Sequence, residues 1–182
     1  MEAMLASDAV AAMNARAIAM GWNIRCYEDL DFVEPELNRL SDIWCAKASR
    51  TGFPSRRDFD ARTLKPWLPN VSLAERVCDE TGTPHFRTRL FGSTLARIFG
   101  EQTGRYLDDF LPQPYFERWN ALYSTLLMCR KPLRIVARFE WRKVEWLDGE
   151  MFATPLGNGH DEPTMILGAM YMTPKPELLM AG

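Results

Sequence analysis

FRTRLFGSTLARIFGEQTGRYLDDFL, the stretch Phe86–Leu111, decides how this chain folds. Its first residues alternate between arginines and less polar side chains, and this period of two predicts a strand. Gly92 then predicts a sharp turn, and the spacing of Leu95 and Phe99 predicts a short helix that ends at Gly100. A strand that turns on glycine into short helices forms one wall of a pocket in several α+β folds.

The rest of the chain supplies the other elements of a small domain. Glu34–Pro35 suits the start of a helix, and a wide apolar face predicts a long helix over Gln113–Arg130. Period-two alternation predicts strands at 71–77 and 133–142, and a change of phase near Arg142–Lys143 predicts a β-bulge. Asp148–Gly149 predicts a hairpin turn before a return strand at 151–156.

The last apolar run fixes the expected topology. Met165–Thr173 is apolar at almost every position, which predicts a central strand that is buried on both faces. Two hairpins that flank a helical crossover then fit an α+β fold with five antiparallel strands in the order 2-1-5-4-3 and helices over one face. We expect an N-terminal tail or weak helix at 1–33, a helical lead-in and irregular segment at 34–70, this core at 71–174 and a disordered C-terminal tail at 175–182, with Asn23–Val33 as a connector.

Composition excludes several classes of function. Hydrophobic residues make up 47% of the chain, enough for a core, and the net charge of −2 argues against binding to nucleic acid. The four cysteines form no CxxC pair and have no histidine near them, so we expect no zinc site and reduced, mostly buried thiols. No apolar run is long enough to span a membrane, and acidic and polar residues interrupt the N-terminal segment where a secretory signal would lie. We therefore expect a cytoplasmic protein.

The order of elements and several local motifs carry a resemblance to a known family. Phe86–Thr94, Phe99-Gly100 and Thr103–Leu107 together match an R-L-x-G-T … G … T-G run, although Ser93 stands where threonine is usual. Further matches are the Ile43-Trp44 pair at the end of the upstream helix, Arg57–Asp60, and Pro155-Leu156 before a polar loop. In this order and spacing, the chain resembles the stand-alone bacterial PAS-domain proteins over about Glu34 to Thr173.

The resemblance implies a sensory or interaction module in signalling, without catalytic activity. Some PAS-like domains bind flavin and react through a cysteine in the short-helix region, but Gly100–Phe110 contains none. Others bind haem through a histidine on the long helix, and Gln113–Arg130 contains none. We therefore expect neither cofactor, although an unidentified small ligand is compatible with the fold. An enzyme with a small cone-like α+β fold would need a buried carboxylate or histidine in its pocket, and the sequence offers no convincing one.

Two hypotheses about function remain open at this stage. In the first, the module binds a signalling partner protein or forms a homodimer through the upstream helix and the outer sheet face. The candidate interface residues are Leu40, Ile43, Trp44, Arg134, Arg138, Arg142 and Trp146. In the second, it senses a small molecule in an apolar pocket between the long helix and the sheet. The candidate pocket residues are Ser93, Leu95, Phe99, Trp119, Tyr123, Phe139 and Trp141, with Ser93 and Tyr123 as polar anchors.

Overall fold

The computed structural model describes residues 2–48, 53–141, 144–157 and 162–173; side chains 2–6, 140–141, 144–146 and 173 lie outside the description. The helices are α1 (Glu2–Ala19), α2 (Pro35–Ala48), α3 (Ser93–Phe99), α4 (Leu107–Phe110) and α5 (Gln113–Cys129). The strands are β1 (Ile24–Tyr27), β2 (Val71–Cys78), β3 (Pro84–Phe91), β4 (Leu133–Trp141), β5 (Val144–Leu156) and β6 (Met165–Thr173). Short 3-10 turns occupy Arg56–Phe59 and Leu68–Asn70.

The strands form one antiparallel sheet in the order β1-β4-β5-β6-β2-β3. Without β1, this is the predicted order of five strands, with the apolar strand β6 at the centre, so the predicted topology is confirmed. The sixth strand was not predicted. It lies in the segment interpreted as a connector, and it pairs with the outer edge of β4 from Ile24↔Ala137 to Tyr27↔Arg134.

The predicted hairpin turn at Asp148–Gly149 is wrong, because both residues lie inside β5. Asp148 pairs with Arg138 and Gly149 pairs with Ala137. Glycine serves close packing here: a Cβ at Gly149 would lie 2.9 Å from Cε2 of Phe139. Trp141 pairs with Val144, and the register shifts between Phe139 and Trp141, just before the predicted bulge. Residues 142–143 themselves lie outside the described residues.

Both faces of the sheet are covered by helices. On the inner face, α3, α4 and α5 pack over the sheet as predicted, and α1 extends the same core through the buried Val10, Met13 and Ala17. On the outer face, α2 forms a second core: Leu37 and Leu40 are fully buried beside Phe152 of β5. The helix predicted as a lead-in therefore packs on the sheet of its own chain.

A buried carboxylate ties the start of α2 to the outer sheet face. Glu150 of β5 is 1% exposed, and its two carboxylate oxygens accept hydrogen bonds from the backbone N–H groups of Val33 (3.2 Å) and Glu34 (2.9 Å). The same carboxylate pairs with Nε of Arg134 at 2.6 Å, and that guanidinium lies over the Tyr27 ring at 5.2 Å. One side chain thus links β1, β4, β5 and the chain segment that enters α2.

Gly92 joins β3 to α3 for a different reason from the one predicted. Its φ of −65° is accessible to any residue, so the turn does not require glycine. A Cβ at this position would lie 2.4 Å from the backbone oxygens of Leu68 and Pro69. Gly92 also occupies the N-cap of α3, and no side chain caps the helix. The close contact fixes α3 against the 3-10 turn at Leu68–Asn70.

No helix among the described residues is both long and apolar enough to cross a membrane.

All four cysteines are free. Cys26 and Cys129 are buried, whereas Cys45 and Cys78 are exposed, so only half of the thiols are buried as expected. Desolvation raises the pKa of Cys26 to about 12 and that of Cys129 to about 11, which keeps both as unreactive thiols at neutral pH. The predicted C-terminal tail, 175–182, lies outside the described residues.

Candidate functional site

A cavity of about 80 Å³ lies in the inner core, between the helices and the sheet. The segment Phe86–Leu111 forms one side of it through β3, α3 and α4, and α5 forms the other. From the helices and the segments that join them come Leu95, Phe99, Gln102, Leu107, Phe110, Leu111, Tyr115, Arg118, Trp119 and Tyr123. From the strands come Ser72, Leu73, Ala74, Thr88, Phe91, Phe139, Met151 and Met170.

Interlocked aromatic rings shape the cavity wall. The rings of Trp119 and Phe139 stack at 6.1 Å with an interplanar angle of 13°, and Phe99 meets Phe139 edge-on at 5.6 Å. Tyr123 packs edge-on against Trp119 at 5.8 Å and against Phe86 at 5.2 Å. Such pairs stabilise specific ring orientations beyond simple burial. The rings therefore hold the apolar wall in one arrangement.

Among the uncharged polar side chains in the wall are Tyr123, which is partly buried, and Gln102, which is buried. Burial raises the pKa of Tyr123 to about 12, so its hydroxyl stays protonated at neutral pH and can donate a hydrogen bond. The amide of Gln102 is 5% exposed; its Nε2 donates to the backbone oxygen of Phe99 at 3.0 Å, and its Oε1 accepts from Nη1 of Arg105 at 3.1 Å. Gln102 is thus held in place by the loop between α3 and α4.

Arg118 adds a charged group to the wall. Arg118 of α5 is 6% exposed, and its Nε has no hydrogen-bond partner. The guanidinium carbon lies 5.2 Å from the centre of the Tyr115 ring and 5.9 Å from that of Phe139. Desolvation lowers the pKa of Arg118 from its usual value, but an arginine remains protonated in a protein. The cavity therefore contains a buried positive charge among aromatic rings.

Five of the seven predicted pocket residues lie in this wall: Leu95, Phe99, Trp119, Tyr123 and Phe139. Ser93 does not, because it is the first residue of α3 and is exposed to solvent. The side chain of Trp141 lies outside the described part of the chain. Ligand binding by the five residues stays a prediction, since the structure shows where they lie and not what they hold.

The predicted interface residues are largely engaged within the fold. Leu40 and Trp44 are buried in the outer core, and Ile43 is half-buried against it. Arg134 pairs with Glu150, and Arg138 pairs with Asp148 through Nε and Nη2 at 2.7 and 3.1 Å. Arg142 and the side chain of Trp146 lie outside the described residues.

Sequence reasoning missed Arg118, although the sequence holds a signal for it. On a helix, residues three or four apart lie on one face. Tyr115 precedes Arg118 by three positions and Leu122 follows it by four, and both belong to the apolar face of α5. A charged residue inside an apolar helical stripe indicates either a buried ion pair or a ligand contact, and this pattern could have been found before the fold was known.

A group of titratable side chains lies on the surface, where the start of β3 meets α4 and the β2–β3 turn. Nδ1 of His85 lies 2.9 Å from Oδ2 of Asp108, on α4, and its Nε2 lies 3.3 Å from Oδ2 of Asp79, in the β2–β3 turn. These contacts raise the pKa of His85, the hydrogen bond to Asp79 contributing most. No group of three or more histidine, cysteine, aspartate or glutamate side chains among the described residues is arranged to hold a metal ion.

The His85 contacts predict a pH dependence of stability. Because the folded-state pKa lies above the unfolded value of about 6.5, the stabilisation is fully present below about pH 6.5 and is lost as pH rises through the folded-state pKa. We expect His85→Gln to lower the urea midpoint more at about pH 5.5 than at about pH 8.5. Denaturation of both proteins across this range measures the difference, and an equal shift at every pH would contradict the prediction.

The chain is similar to one sequence family and, distantly, to several solved structures. The sequence model of the PAS domain family matches residues 33–171. Among solved structures, the LOV protein of Rhodobacter sphaeroides is 19% identical over 58% of this chain and 60% of that chain, with a TM-score of 0.42. The RsLOV d2 variant is 17% identical over the same shares, with a TM-score of 0.41. This chain thus spans about 60% of the length of these two chains. None of the curated proteins matches it.

Proposed function

The chain belongs to the PAS domain family, and on this premise we propose that it is a regulatory module that senses a small molecule held without a covalent bond in the inner cavity. The observation that carries the proposal is an unfilled space of about 80 Å³ inside the main core. Protein interiors are close-packed and leave few voids larger than a water molecule. A space of this size, surrounded by ordered aromatic rings, is therefore suited to an occupant.

The chemistry of the wall supports binding rather than catalysis. Small-molecule sites are mostly apolar with a few placed polar groups, and this wall combines leucine, phenylalanine and tryptophan side chains with Tyr123, Gln102 and Arg118. In the part of the chain that the structure describes, the residues that line the cavity include no carboxylate, imidazole or thiol. They therefore provide neither a carboxylate or imidazole general base nor a thiol nucleophile, in line with a non-enzymatic sensor.

The alternative function, through partner binding or homodimer formation, has less support. Leu40 and Trp44 would have to leave the outer core before they could contact another protein, and Arg134 is already paired with a buried carboxylate. Sensing is therefore the function we put first. That the module acts on a signalling partner protein or a second copy of the chain stays a prediction.

Filling the cavity tests the proposal. Ala74 lies in its wall on β2 and is 4% exposed, so Ala74→Leu should occupy much of the space without disturbing the surface. We expect the unchanged protein to be stabilised by at least one member of a panel of small apolar and amphipathic compounds. Ala74→Leu should lose at least about 10-fold in affinity for that compound, since overpacking removes the free volume. Native mass spectrometry and thermal shift measure binding.

Ala61→Leu is the matched control, because Ala61 is exposed in a turn and does not line the cavity. It should bind the compound as the unchanged protein does. Circular dichroism verifies that both variants fold. The proposal would be abandoned if no compound binds the unchanged protein, or if Ala74→Leu folds and binds as well as Ala61→Leu.

A further inference from the structure

Among the described residues that line the cavity, Arg118 is the one with a charged side chain, and its burial costs free energy. A charge that leaves water without a partner destabilises a fold, and natural proteins pair or neutralise nearly all such groups. Arg118 is 6% exposed, and its Nε lacks a hydrogen-bond partner. A buried donor without a partner needs a physical reason, and a role in holding a ligand is one.

Among the described residues, no carboxylate supplies the missing partner. Two buried carboxylates on the outer face of the sheet form ion pairs with other arginines. Glu150 pairs with Arg134, and Asp148 pairs with Arg138. Arg118 forms no ion pair of its own among the described residues. It contacts the faces of Tyr115 and Phe139, which attract a cation but accept no strong hydrogen bond at Nε. The cavity wall therefore carries an uncompensated positive charge.

We propose that Arg118 holds the carboxylate of a short-chain monocarboxylate whose apolar part lies in the cavity. This inference rests on the proposed sensing function and names its ligand class. Guanidinium groups match carboxylates in shape and hydrogen-bonding geometry, and one cation in the wall suits one negative charge. The leucine and aromatic side chains around it suit an apolar remainder.

The size of the cavity limits the ligand. Its volume of about 80 Å³ is smaller than the ~150 Å³ of an engineered cavity that holds benzene. An aliphatic chain of a few carbons fits this space better than a ring system. The protonated hydroxyl of Tyr123, in the same wall, is a second donor available to the ligand.

Butyrate and its uncharged isostere butyramide test the inference, because they differ in charge and hardly in shape. We expect butyrate to bind the full chain at least about 10-fold more tightly than butyramide, as hydrogen bonds to charged groups are stronger than neutral ones. Binding is followed by titration at constant ionic strength, with the NMR signal of the Trp119 indole N–H as a reporter inside the wall.

Variants of Arg118 assign the effect to this residue. Arg118→Met keeps the apolar stem and should lose at least about 10-fold in butyrate affinity while its butyramide affinity stays the same. Arg118→Lys keeps a charge and should retain part of the preference for butyrate, which gives a second test if Arg118→Met fails to fold. Arg97→Met, on the exposed part of α3, is the matched control and should leave both affinities unchanged.

Each result separates the inference from the proposed function. If butyramide or another uncharged compound binds the cavity and butyrate shows no advantage, the inference is wrong and the sensing function stands. If no compound binds at all, the sensing function itself fails. Equal butyrate binding by Arg118→Met and the unchanged protein, or no shift of the Trp119 signal, would show that butyrate associates elsewhere and would also overturn the inference.

Discussion

Glu150→Ala should lower the free energy of unfolding by about 3 kcal/mol, since removing one partner of a buried ion pair leaves the other uncompensated. Glu150 is 1% exposed and lies 2.6 Å from Nε of Arg134. The substitution also removes the acceptor for the backbone N–H groups of Val33 and Glu34. Urea denaturation followed by circular dichroism measures the loss.

An exposed ion pair provides the control. Glu162 is 69% exposed and lies 3.2 Å from Nη1 of Arg130, so Glu162→Ala should change stability by less than about 1 kcal/mol. Similar losses in the two variants would show that burial of Glu150 does not set its contribution. The double variant Arg134→Met/Glu150→Leu should recover part of the loss, because it removes both charges and leaves neither without its partner.

Glu150→Ala should also destabilise one region more than the rest of the fold. Glu150 connects β5 to the segment that enters α2, whereas α5 and the cavity lie on the opposite face. Hydrogen exchange should therefore accelerate most in the first turn of α2. Equal acceleration in α2 and α5 would indicate a purely global loss of stability.

The sequence was informative about the sheet because the pattern of its strands is unusual. Met165–Thr173 lacks a polar face, and only a central strand with a covered surface on each side satisfies this. The structure covers those two sides with separate cores, one under α5 and one under α2. Hydrophobic periodicity reports burial directly, so strands with strong patterns were predicted with correct neighbours.

The elements that were missed depend on tertiary contacts. The strand β1 has only four residues, and its pairing with β4 is a contact across more than a hundred positions that no local pattern encodes. Asp148–Gly149 has the composition of a hairpin turn, but Asp148 pairs with Arg138 and Gly149 makes room for the Phe139 ring. For β1 there is no local signal to read, and at Asp148–Gly149 packing overrides one.

The cavity wall, too, could be predicted only in part from the sequence. Leu95, Phe99 and Trp119 follow from helical periodicity, which identifies a buried face without saying whether it is filled. Ser93 was assigned by composition as a polar anchor, but as the first residue of α3 it points into solvent. Arg118 decides the chemistry of the wall: the sequence places it within the apolar face of α5, and only the structure shows that it is buried and that its Nε lacks a partner.

Gly92→Ala should destabilise the fold by about 3 kcal/mol or more, at the upper end of what overpacking costs. The added Cβ would lie 2.4 Å from the backbone oxygens of Leu68 and Pro69. Backbone atoms cannot rotate away as a flexible side chain can, so α3 or the 3-10 turn beneath it has to move. Thermal or urea denaturation measures the effect.

The consequences should extend to the cavity, because α3 carries Leu95 and Phe99 into its wall. Ser93→Ala is the matched control: it adjoins the same junction, is exposed, and should change stability by less than about 0.5 kcal/mol. A Gly92→Ala protein as stable as Ser93→Ala would mean that the junction yields easily. In that case the contact between Gly92 and the Leu68–Asn70 turn would not fix the position of α3. The fold would then not require glycine at position 92 of the stretch Phe86–Leu111.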